Sequence, residues 1–292
     1  MHSRRAGFAR EFLLPSVVVG ALVWARPAAA CQTTTCARSS APECVRDSAS
    51  LCFNAGQKVS WRQACISYSI QSRGLAKYGL DYAATEALVS RAFERWLSAS
   101  CGGATPSISA IPIGPLECNE LEYNPEGPNA NALLFRDGDW AHEPNALGLT
   151  TVTFNKQSGQ ILDADMEINV GSSLLNDTTV EYVVTHEAGH FLGLDHSADP
   201  SALMYAQYTP QGRANAELGS DDVSSICAAY PARDAGECEF SPEKGFDSRC
   251  GGDVQGGCSF RPAVADRGAH WLALAVLGGV CHGRRRRASR RA

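Results

Sequence analysis

No two cysteines of this chain stand in a CxxC arrangement, which excludes a cysteine-rich zinc ribbon despite the twelve cysteines present. Internal repeats are missing too, so solenoid and propeller architectures fall away. No apolar run is long enough to cross a bilayer comfortably; the candidates are Phe12 to Trp24 near the start and Trp271 to Cys281 near the end. Basic charge is scarce where a domain could fold. Ten of the 26 basic residues lie outside 31–283, leaving 16 there against 30 acidic residues. Such a surface disfavours nucleic acid and anionic lipid as partners. Histidine is scarce as well: of seven, three fall between 186 and 196, and only His142 stands elsewhere within 60–231.

What is present reads first as processing. Arg4, Arg5 and Arg10 precede the run Phe12 to Trp24, and Ala28-Ala29-Ala30 offers a small-residue cleavage site, the pattern of a signal peptide over 1–30. Cleavage after Ala30 would leave Cys31 first, which keeps a lipid-modified terminus open as an alternative. Export to the cell exterior or outer surface fits the cysteines, which can pair in an oxidising compartment. Setting aside Cys258 and Cys281, ten remain, an even number consistent with five disulfides of unspecified pairing.

The rest of the chain divides into a Cys-rich N-terminal segment (31–59), one α+β domain (60–231), a Gly/Pro/acid-rich linker (232–257) and a tail (258–292). Within the domain, 65–70, 107–113, 132–135, 148–154 and 161–168 read as five strands, with a loop over 114–131 and a turn at Asn155 to Gly159. Three helices are expected. The first covers Tyr82 to Ser98, where Leu88, Val89, Ala92, Phe93, Trp96 and Leu97 recur at helical spacing. The second starts near Thr178, with Thr178 and Glu181 forming a capping box, and ends at Gly193. The third follows Gly219 and stops at Pro231.

The second helix carries His186-Glu187-Ala188-Gly189-His190, then Phe191-Leu192-Gly193-Leu194-Asp195-His196. Residues four apart on a helix project from one face about 5.4 Å apart along the axis, which suits two ligands of a tetrahedral zinc. Gly193 permits a sharp exit from the helix that brings His196 round as the third ligand. Three protein ligands leave a fourth position open, the catalytic rather than the structural arrangement. Glu187, beside the first ligand, stands where a carboxylate could reach water at the metal.

This HExxHxxGxxH run resembles the metzincin signature. Met204, within Ser201-Ala202-Leu203-Met204-Tyr205, resembles the methionine of the metzincin Met-turn, and Ser197 after the third histidine is similar to the matrixin subgroup. The resemblance covers about 60–231. It implies a metzincin-type zincin fold, with a twisted mixed five-stranded sheet, about three helices, an active-site helix and a Met-turn. It also implies one catalytic zinc on His186, His190 and His196, and a secreted or surface-displayed endopeptidase in which Glu187 assists attack of zinc-activated water on a peptide bond. Extended protein or peptide substrates would pair with an edge strand at Gly148, Leu149, Thr150 and Thr151. Tyr182 and Tyr208 would shape the pocket for the residue after the cut, a shallow one suited to medium apolar side chains such as Leu.

Some features depart from that pattern. No PRCGxPD switch segment is present, and the histidines of the matrixins' second zinc are missing. Asp163, Asp165 and Glu167 lie where relatives hold calcium; they either bind Ca²⁺ or form a solvated strand face. Ala206 replaces the usual proline after the Met-turn tyrosine. The tail, with Cys258, the run Trp271 to Cys281 and Arg284 to Arg287, resembles a MYXO-CTERM sorting tail and implies membrane or cell-surface anchoring. A basic solvent-exposed tail is the alternative there. A monomer is expected. For the whole chain, the alternatives to a protease are a zinc-binding but proteolytically silent surface protein and a metal-free adhesion module.

Overall fold

The computed structural model describes residues 31–249 apart from 49, 51, 54, 122, 208–215, 233–237 and 243. Residues 1–30, expected to be a signal peptide, the tail with Cys258 and Cys281, and Tyr208 therefore lie outside the described residues. Five strands are present: β1 (Cys65–Gln71), β2 (Ser109–Leu116), β3 (Ala132–Phe135), β4 (Gly148–Phe154) and β5 (Ile161–Ile168). They form one sheet in the order β2-β1-β3-β5-β4, parallel throughout except for the antiparallel pair β4–β5. Three α-helices accompany it, α1 (Tyr82–Leu97), α2 (Val180–Phe191) and α3 (Ser220–Ala229). This is the mixed-sheet α+β architecture that the sequence predicts.

Strand β2 runs later than its apolar pattern suggests. Ser107 is not in the sheet; its N–H donates to Tyr230 O. The strand instead continues through Gly114 and Pro115 to Leu116, with a register shift opposite Tyr68 and Ile70. Two prolines are tolerated because β2 is an edge, and Gly114 at φ +127° absorbs the irregularity.

The main core lies between the sheet and the helices. Helix α1 is capped by Asp81, whose side chain accepts from Ala84 N at 2.8 Å, and it buries Leu88, Val89, Ala92, Phe93 and Trp96. From β5, Ala164, Met166 and Ile168 join the same core. A smaller cluster of Leu116, Ala132 and Leu134 occupies the opposite face, with Phe246 packed on it. Phe246 also bridges Asn129, and Cys238 is bonded to Cys65, so residues near 238–246 dock on the domain.

The remaining disulfides with both partners described are Cys31–Cys52, Cys36–Cys44 and Cys101–Cys227. Cys118 is disulfide-bonded as well. Among the described residues no helix is long and apolar enough to cross a membrane.

Helix α2 corrects the expected cap. Its N-cap is Thr179, with no side-chain hydrogen bond, and the helix begins at Val180. Asn176 Oδ1 accepts from the backbone N–H of Thr178 and Thr179. Glu181 does not reach back; it faces α1 and pairs with Arg91 (3.2 Å) and Arg95. Two guanidiniums outcompete a single backbone N–H for that carboxylate and hold its pKa below the ordinary value against the effect of burial.

Candidate metal centre

Helix α2 is fixed at several depths. Trp96 Nε1 donates to Thr185 O at 2.8 Å, tying α1 to the turn that precedes His186. At the C-terminal end, Trp61 Nε1 donates to Phe191 O (2.9 Å) and the Tyr230 hydroxyl to Leu192 O (2.8 Å). These carbonyls would otherwise be unsatisfied at a buried helix end. Gly193 then takes φ +84°, and a Cβ there would run into Val59 O. The chain can leave the helix at that angle only with glycine.

The exit brings the three histidines together. Their candidate ligand atoms all lie within 4.8 Å of one another, and His190 Nε2 is 3.1 Å from His196 Nε2. Zinc–nitrogen bonds of about 2.0–2.1 Å in a tetrahedron would set that separation near 3.3 Å. The other ring nitrogens are engaged: His186 Nδ1 bonds Leu203 O (2.8 Å) and His190 Nδ1 bonds Leu194 O (2.9 Å). A carbonyl can only accept, so both rings carry their proton on Nδ1 and present a bare lone pair at Nε2. Burial lowers the pKa of His190 and takes that of His196 to about 4, keeping both neutral and able to ligate. The donor set thus suits one zinc ion. Among the described residues it is the one such cluster of three or more metal-capable side chains.

Glu187 lies on the same turn and is buried. Thr150 Oγ1 donates to its Oε2 at 2.7 Å, and burial pushes its pKa up to about 7 against that hydrogen bond. Gly148 leaves the space this carboxylate occupies, since a Cβ there would stand 2.6 Å from Glu187 Oε1. Gly148 and Thr150 therefore both face Glu187 from β4, the last strand of the sheet. Leu149, Tyr182, His186, Glu187 and His196 line a common cleft of about 630 Å³, with Leu174 at its rim. Tyr182 is almost wholly buried, and its hydroxyl donates to Leu203 O at 3.3 Å.

Met204 lies fully buried beneath α2, in a turn braced by Asp222, a residue not singled out from the sequence. Asp222 accepts from Leu203 N (2.6 Å), Met204 N (3.0 Å) and Gly219 N (2.7 Å), which makes one carboxylate both the α3 cap and the brace of the methionine turn. Ser197 N donates to Met204 O (2.8 Å), and the Ser197 hydroxyl bonds Asp221. Gly189, inside the histidine motif, is the contact point: any Cβ would collide with Met204 Sδ and Trp96. In sequence, Asp222 looks like an ordinary first-turn acid, and its reach across 18 residues has no periodic signal.

The acidic stripe on β5 differs from both readings offered for it. Asp163, Asp165 and Glu167 are buried, not solvated. They also do not converge within the reach of one ion. Arg136 Nε (2.6 Å) and His142 Nε2 (2.8 Å) hold Glu167, while Ala132 N donates to Asp165 at 2.8 Å. Asp163 and Asp165 lie against one another, and burial raises both carboxyls above the usual range. Within the protein, these partners already answer the acids of the stripe.

Comparison with known proteins agrees with the geometry. The matrixin family profile matches residues 135–231. Human neutrophil collagenase is 31% identical over 195 residues, covering 65% of this chain and 37% of that protein. Metalloendoproteinase 1-MMP of Arabidopsis thaliana is 28% identical over 181 residues, covering 59% and 45%. A probable matrix metalloproteinase of Invertebrate iridescent virus 3 is 37% identical over 86 residues, covering 27% and 23%. The chain spans less than half the length of these relatives. The matched stretch contains the three histidines, Glu187, the methionine turn and α3, and so the chain carries a catalytic domain of the matrixin type.

Proposed function

We propose that this protein is an exported zinc-dependent endopeptidase in which His186, His190 and His196 hold the metal and Glu187 moves the proton. The observation that carries the reading is the convergence of neutral imidazoles beside a buried carboxylate poised near neutrality, on the wall of an open cleft. When bound there, zinc supplies Lewis acidity, which acidifies water and polarises a carbonyl.

The chain supplies the rest. Thr150 holds Glu187 by one oxygen, leaving Oε1 to accept a proton from the attacking water and return it to the departing amine. The β4 segment Gly148, Leu149 and Thr150 would align an extended peptide by backbone pairing. Tyr182, anchored through its hydroxyl to Leu203 O, would form the floor of the pocket for the residue after the cut and favour medium apolar side chains there. Tyr208 is proposed as part of the same wall from the sequence alone. Met204 packs under the ligands without binding the metal. The disulfides, with the N-terminal signal pattern, support export to an oxidising exterior.

The test is hydrolysis of a quenched peptide set by the purified protein, with zinc content measured in parallel. Cleavage abolished by a chelator and restored by zinc is the expected result. Stoichiometric zinc without cleavage of any peptide would leave a silent metal-binding protein instead.

A further inference from the structure

The loop between Gly193 and His196 is gripped from a part of the chain that lies outside the matrixin match. Residues 31–33 run beside it: Thr33 N donates to Gly193 O (2.9 Å), Gln32 bridges Leu194 in antiparallel fashion, and Asp195 N donates to Cys31 O. Leu194 O is the same carbonyl that orients the His190 ring. Asp195 adds a side-chain grip. Its Oδ1 accepts from His196 N at 2.8 Å, while its Oδ2 meets Arg46 at 3.0 Å. Arg46 in turn sits over the Phe53 ring at 4.2 Å, and the Cys31–Cys52 bridge closes the segment that carries it.

We propose that Arg46 is a positioning residue for the third metal ligand, acting through Asp195 to fix the loop that presents His196. This rests on the reading of His186, His190 and His196 as zinc ligands. Two ligands sit on a rigid helix, so their separation needs no further support. His196 sits on a turn held on its C-terminal side by Ser197, which bonds Met204 O and Asp221, and on its N-terminal side by whatever holds residues 193–195. The N-terminal segment supplies that hold through the two backbone hydrogen bonds of the Gln32–Leu194 bridge and one ion pair. Partners that orient a metal ligand typically change affinity by about 10- to 100-fold when removed, far more than an ion pair of this exposure contributes to folding. Arg46 should therefore register in metal retention and hardly at all in stability.

The experiment compares wild type, Arg46→Gln, Arg46→Lys, Asp195→Asn and the Arg46→Gln/Asp195→Asn double variant, each as the full chain with its disulfides formed. Zinc dissociation constants are read by competition with a fluorescent chelator, melting temperatures on the metal-free proteins, and kcat and KM at limiting and saturating zinc. Arg46→Gln is expected to weaken zinc about tenfold. Its metal-free melting temperature and its KM should stay unchanged, its activity should fall only at limiting zinc, and Arg46→Lys should recover most of the affinity. The double variant should be no worse than the weaker single one, because both changes cut the same link. Equal zinc affinity of Arg46→Gln and wild type, or fully additive losses in the double variant, overturns the proposal while leaving the protease reading intact. A wild-type protein that binds no zinc overturns both.

Discussion

Two parts of this domain bury ionisable side chains, and they neutralise them in opposite ways. Along β5, the acidic stripe is answered from within the protein, by Arg136 and His142 on Glu167, by a backbone N–H on Asp165, and by a proton retained between Asp163 and Asp165. On α2 and its following loop, His186 and His190 have spent their N–H groups on carbonyls and turn bare lone pairs towards a common point. Burial of polar groups is common to both regions and so does not mark a metal site. Convergence of donors with no internal cation among them does.

The sharpest way to break that comparison is to make the same substitution in each region. Glu187→Gln keeps an oxygen for the Thr150 hydrogen bond but can no longer take a proton. We expect kcat to fall about a thousandfold, with zinc stoichiometry and fold retained, as measured by steady-state peptide hydrolysis and metal analysis. Glu167→Gln should do the reverse. It weakens the closest charge partner of the nearly buried Arg136 guanidinium, which keeps Asp139 at 3.5 Å and the Asn119 carbonyl, at a cost of about 2 kcal/mol in denaturant unfolding, yet hydrolysis per folded molecule stays at the wild-type level. If Glu187→Gln stays active, or Glu167→Gln is folded but silent, the two regions have been assigned the wrong way round.

A smaller effect separates the two faces of β4. Gly148→Ala places a methyl where Glu187 Oε1 now sits, so the carboxylate must move aside by about an ångström, which can cost about a hundredfold in kcat. Zinc affinity should be unaltered, because the atoms that the new methyl meets first all belong to Glu187. Thr153→Ala, opposite Asp163 on β5, should leave kcat unchanged. Kinetics and chelator competition on the two variants decide the matter, and equal losses at both would mean that β4 responds as a whole rather than by face.

The parts legible in the sequence are those with local spacing. The i, i+4 histidines, the glycine exit and the alternating strands each follow from geometry within about ten residues. The positions that went astray are governed by distant partners. Thr178 and Glu181 form a proper capping box on paper, but Arg91 and Arg95 on α1 claim the carboxylate. The apolar pattern places β2 at 107–113, and its place at the sheet edge lets it run on through Gly114 and Pro115 to Leu116. The β5 acids alternate like a wetted face, and nothing local announces that Arg136 and His142 will cover one of them. Asp222 and Arg46 belong to the same class: single polar residues whose importance comes from what the fold brings to them.

The smallest predicted effect tests whether the β5 pair is held by a proton rather than by a metal ion. Burial first, and mutual repulsion second, raise the folded pKa of Asp163 above its unfolded value, and burial does the same for Asp165. The folded protein then binds more protons than the unfolded chain once the pH passes the ordinary carboxylate range. Stability is greatest at the acidic end of this window and declines as pH rises towards the raised folded pKa. Asp163→Asn removes the titration while supplying a permanent N–H donor to Asp165, so its melting temperature should fall less than that of wild type between about pH 5 and about pH 8. The variant should lose a little stability at the acidic end, where the wild-type carboxyl is already neutral, and gain at the alkaline end. Melting curves in chelator across that range provide the comparison. A wild-type profile that is flat in chelator, or that rises with pH only when calcium is added, would mean that the stripe is neutralised by a cation after all and that the two regions are more alike than their geometry indicates.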